Sequence, residues 1–77
     1  MDRATILKDL GQAKARVVVG ERDIALQKQF IGDLIREGHA ARARGADEFL
    51  HALEIAQALG VTHRDYLEKE LSTRNAV

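Results

Sequence analysis

The chain has 77 residues, twelve basic side chains balanced by twelve acidic ones, and neither cysteine nor proline. Charge balance removes the electrostatic footprint of a protein that holds nucleic acid or an anionic membrane by net charge, and the lack of cysteine excludes disulfides and thiolate zinc sites. Apolar residues make up 45% of the chain, but much of that is alanine and the only aromatics are Phe30, Phe49 and Tyr66, so the core must be thin and aliphatic. A single domain spanning residues 1–77 sits near the lower limit at which one hydrophobic core holds a fold without help from a metal, a disulfide or another chain.

The first predicted element is a helix over about residues 3–37. No proline interrupts it, and Ile6, Leu10, Ala13, Val17, Gly20, Ile24, Gln27, Ile31 and Leu34 recur at alternating steps of three and four, which is the a/d seam of a heptad pattern. Gly38 suits the left-handed residue that ends a helix, and Gly45 can break the chain again before Asp47 and Glu48, whose charges favour a first helical turn. The connection is therefore expected at about residues 38–45. The helix formers between His39 and Arg44 also allow the second helix to begin as early as Ala41.

The second helix is expected over about residues 46–72, with the seam Ala46, Leu50, Leu53, Gln57, Gly60, Arg64, Leu67 and Leu71. Gly60-Val61-Thr62 weakens its middle, because glycine costs about 1 kcal/mol against alanine in a helix and two β-branched residues follow. Residues 72–77 are expected to fray.

Folding the two seams together makes an all-α, antiparallel two-helix hairpin. The favoured register pairs Leu34 with Leu50, Gln27 with Gln57, Ile24 with Gly60 and Val17 with Leu67. Gln27 and Gln57 then face each other and set the register, as a buried amide pair does in a coiled coil. A slide of one turn would instead bring Gly20 against Gly60.

A second apolar stripe is left over on each helix, at the c and g positions that flank the seam. Val19, Leu26 and Phe30 supply it from helix one, and Phe49, Ala52, Ala56, Leu59 and Tyr66 from helix two. Since g flanks g in an antiparallel pair, both stripes share one side, while Lys14, Glu21, Lys28, Asp47, Glu54, Asp65 and Glu68 make the other mostly charged. Full burial of one such apolar side chain is worth about 1.5–3 kcal/mol, so the stripe predicts an interface built from Val19, Leu26, Phe30, Phe49, Ala56, Leu59 and Tyr66. Two hairpins joined there make a homodimeric four-helix bundle.

Other motifs weigh little. Glu48 and His51 have the Glu-x-x-His spacing of di-metal bundles, but this register sets them at f and b, outward from the seam, so no metal is expected. His39, His51 and His63 are too dispersed to share an ion, and no nucleophile is paired with a base, so neither catalysis nor a cofactor is expected. His63, beside the apolar face, could make an interface pH-sensitive. Arg42 and Arg44, on the connection, could grip an acidic partner, but the ordinary reading of two loop arginines is a solvated turn. No aromatic interleaving supports single-stranded nucleic acid binding. The most apolar stretch, Ala15 to Gly20, is short and contains Arg16, so neither a membrane span nor a secretory signal is read and a cytoplasmic location is the default.

The set Glu21-Arg22-x-Ile24-x-x-Gln27-x-x-x-Ile31-x-x-Leu34, Gly38-His39, Gln57-Ala58-Leu59 and Arg64-Asp65-x-Leu67-x-x-Glu70-Leu71 resembles a group of short α-helical hypothetical proteins of soil bacteria. The resemblance covers about residues 20–71 and implies a helical hairpin with no assigned function. Ala40-Ala41 depart from it, where an acidic residue and a threonine are typical and would cap helix two. The expected function is a non-enzymatic protein–protein interaction module that self-associates. The alternatives are a monomeric adaptor or inhibitor docking a client helix and a metal-binding bundle.

Overall fold

The computed structural model describes residues 2–75. Two helices pack against each other: α1, Arg3–Arg36, and α2, Ala40–Asn75. Asp2 caps α1, its carboxylate accepting the Thr5 backbone N–H at 2.7 Å, and that bond holds the Asp2 pKa below its ordinary value. At the other end Gly38 takes φ 82°, with its N–H donating to the Ile35 carbonyl and the His39 N–H donating to that of Leu34. This pair of bonds is the Schellman closure, which consumes the last carbonyls of α1. The His39 carbonyl then accepts from the Ala43 N–H at 2.9 Å, so the next turn of helix starts at once.

The connection is thus Glu37-Gly38-His39, not residues 38–45, and α2 begins at Ala40 rather than 46. The reason is visible in the packing. Ala43 and Ala46 are buried beside Leu34, with Ile31 against the same cluster, and this burial offsets the roughly 1 kcal/mol that Gly45 costs inside a helix. Positive φ occurs only at Gly38 among the described residues, so Gly45 and Gly60 are ordinary helical positions. The helix continues through Gly60-Val61-Thr62 without a break and extends beyond residue 72 to Asn75. Residues 76 and 77, expected to fray, lie outside the described residues.

The expected seams, with Ala43 added at the start of α2, supply the core. Ile6, Leu10, Ala13, Val17 and Leu34 are buried from α1, and Ala43, Ala46, Leu50 and Leu67 from α2. At the open end of the hairpin Leu67 packs on Leu10 and Ala13, with Leu71 alongside. The register, however, differs from expectation by one heptad. Val17 meets Gly60 where Leu67 was expected, and Leu34 meets Ala43 where Leu50 was expected; Gly20 meets Gln57, so the alternative register with Gly20 against Gly60 is not formed either. A shorter connection moves the fold point toward α1, and a shift of a whole heptad returns the same faces to the seam.

The molecule measures 59 × 15 × 14 Å, with a radius of gyration of 17.3 Å. A compact domain of this length would have about 11–12 Å. Two helices in one layer therefore bury one side of each helix and leave the rest of the rod open.

Candidate interaction surface

Gln27 and Gln57 do not form a layer. Gln57 donates from Nε2 to the Val17 carbonyl at 2.8 Å, and Gln27 donates from Nε2 to the Ala46 carbonyl at 3.0 Å. Each amide reaches from its own helix to the backbone of the other, so the glutamines tie the hairpin at two heights. No buried side-chain nitrogen or oxygen among the described residues lacks a partner.

The residues singled out for an interface are all exposed, and six of them line two adjoining grooves. Val19 is 50% accessible and Leu59 67%, with Leu26, Phe30, Phe49 and Tyr66 between those values. Because the register error is a whole heptad, the c and g stripes still share a side. They flank two adjoining grooves. The larger, of about 630 Å³, is lined by Val19, Ala56 and Leu59 over a floor that includes Ala15, Gly20 and Gly60. The smaller, of about 350 Å³ and nearer the connection, is lined by Leu26, Phe30 and Phe49. Asp23 and Leu53 line both and mark the boundary between them. Arg16 and His63 line the larger groove, while Tyr66 lines neither.

Charge is confined to few positions on this side. Arg16 and Asp23 are one heptad apart in α1, so they stand in the same column with opposite sign. The floor was the part not read from the sequence: Gly20 and Gly60 appeared as seam positions, paired only in a register one turn away, and Ala15 only as the start of an apolar stretch. Their small volume is what hollows the larger groove. Spacing of small residues across from one another would have signalled it only with the true register in hand.

The other side is less uniformly charged than expected. Lys14 approaches Glu68 at 4.0 Å, but Leu7, Val18 and Ile35 are exposed at e and b positions. They are scattered single residues, ordinary on a surface. Arg64 is bound to Asp65 by its Nε at 3.1 Å and a terminal nitrogen at 2.9 Å, which raises its pKa further.

Glu48 and His51 are exposed, and His51 Nδ1 lies 3.8 Å from Asp47 on the surface. Among the described residues no three histidine or carboxylate side chains cluster as a metal would require. Arg42 and Arg44 stand in the first turns of α2, exposed and helical rather than on the connection. No described helix is long and apolar enough to cross a membrane.

Searches against family models, curated proteins and solved structures found no match to this chain.

Proposed function

We propose that this chain is a non-enzymatic protein–protein interaction module whose hairpins join, through the Val19–Phe30 and Phe49–Tyr66 side, into a homodimeric four-helix bundle. The observation that carries the reading is the grooved apolar side itself, exposed along most of a rod that has too little core. The chain exposes 5647 Å², against roughly 4,700 Å² for a compact monomer of its mass. The difference, on the order of 1,000 Å², is comparable to the ~800 Å² that each partner contributes to a stable interface. A second copy would cover the large apolar side chains and supply the second layer that a single hairpin lacks.

The test is the solution mass of the purified protein together with a Phe30→Glu variant. The reading expects a dimer that the substitution dissociates while much of the helicity stays. A wild-type monomer at all concentrations overturns it, and so does a dimer whose mass Phe30→Glu leaves unchanged.

A further inference from the structure

The spacing along the grooved side carries more than the existence of a dimer. On α2 the stripe reads Phe49, Ala52, Ala56, Leu59, His63, Tyr66, and it is symmetric about the point midway between Ala56 and Leu59. Reversed, it places aromatic on aromatic and small on large. On α1 the same side carries Arg16 and Asp23, whose midpoint falls at Val19 and Gly20. These two midpoints lie at one height of the hairpin, because Gly20 is in contact with Gln57.

We infer that the second copy docks antiparallel, about a two-fold axis that lies in the interface, runs across the hairpin and passes the Gly20–Gln57 level. That axis sets Arg16 against Asp23 of the partner copy, and Asp23 against the partner's Arg16. It sets Phe49 on the partner's Tyr66 and Leu59 over the hollow at the partner's Ala56, and on α1 it brings Phe30 opposite the partner's Asp9. Every neighbouring helix in the resulting bundle runs antiparallel, as it also does about an axis along the hairpin, so the helix dipoles do not distinguish the two. The other two-fold axis that brings these faces together runs along the hairpin; it sets Phe30 near the partner's Phe49 and Val19 near the partner's Leu59, but leaves Arg16 near the partner's His63 and Asp23 against Ala56. Only the transverse axis forms the two charge pairs, and like charges at those places would act against association.

This inference rests on the self-association proposed above, and charge-swap variants separate the two. Arg16 and Asp23 are both exposed, so changing them leaves the hairpin core untouched. Sedimentation of Arg16→Glu alone and of Asp23→Arg alone is expected to show dissociation constants raised roughly tenfold to a hundredfold. Mixing the two variants should recover the wild-type affinity as a heterodimer, because each then meets its opposite charge at both places. The Arg16→Glu/Asp23→Arg double variant should recover it as a homodimer. In a chain without cysteine, Val19→Cys lies next to the axis and should oxidise to a disulfide-linked dimer. A wild-type dimer that tolerates both single reversals, or whose mixed variants stay dissociated, overturns the antiparallel docking and leaves self-association standing. A wild-type monomer removes both.

Discussion

The amide of Gln57 occupies the space that a side chain at Gly20 would need, with its Nε2 donating to the Val17 carbonyl one turn away. A Cβ at Gly20 would meet the Gln57 amide head-on, so the glutamine lies flat across the opposite helix only because residue 20 has no side chain. The pair acts as a register key. Sliding α2 by one turn removes the bare backbone from beneath the amide and leaves a half-buried polar group to be re-solvated.

A double-mutant cycle isolates that relationship. Gly20→Ala should gain about 1 kcal/mol of helix propensity where nothing opposes it, but in the wild type it displaces Gln57 and loses a hydrogen bond worth about 0.5–1.5 kcal/mol. The two effects are expected to cancel nearly in the wild type, whereas in a Gln57→Ala background Gly20→Ala should stabilise in full. Gly11, which has open space around it, serves as the uncoupled control. Urea unfolding of the four chains at one fixed concentration reads the coupling, and equal effects of Gly20→Ala in both backgrounds would refute it.

Leu67 is 1% accessible and closes the open end of the hairpin against Leu10 and Ala13. With a core this thin, Leu67→Ala is expected to cost about 2–5 kcal/mol, a large fraction of the stability of a small domain. Ile55→Ala, at a 65% exposed position, should change the unfolding midpoint little. Similar losses from both would mean that the seam is not where the stability resides.

Gly38 is the pivot of the connection. Its φ of 82° lies in the left-handed region, so Gly38→Ala should destabilise by about 1–2 kcal/mol, while Gly45→Ala, in open helical space, should stabilise by up to about 1 kcal/mol. The opposite signs, read by thermal unfolding at one concentration, test whether the chain turns at residue 38 and not at residue 45.

The Asp2 cap links the α1 N-terminus to pH. Its pKa is lowered because the carboxylate accepts the Thr5 N–H, so the cap contributes above the ordinary value of 3.8 and is lost as pH falls through the lowered one. Hydrogen exchange at the Thr5 amide should therefore accelerate in strong acid relative to amides in mid-helix, after correction for intrinsic rates. No such divergence would mean that the cap is absent in solution.

Both seams were legible because burial imposes a three-four spacing on the sequence, from Ile6 to Leu34 and from Ala46 to Leu67. The connection was not, because His39 to Gly45 mixes helix formers with a helix breaker, and the balance is decided by burial of Ala43 and Ala46 against Leu34, a tertiary effect. Register failed for a related reason: slipping one heptad leaves every heptad letter unchanged, so no periodic pattern distinguishes Val17 beside Gly60 from Val17 beside Leu67. The two glutamines were recognised as seam residues, but their amides are long enough to reach backbone carbonyls and need no partner amide. Phe30 and Phe49 line one groove and Leu59 the adjoining one, a placement that depends on heptad letters alone.

Sedimentation equilibrium of the wild-type protein over a wide concentration range tests the central claim most directly. The grooved side predicts a mass of twice the 8.5 kDa chain, held down to low concentration and shifted toward the monomer by Phe30→Glu. A single 8.5 kDa species throughout would contradict it.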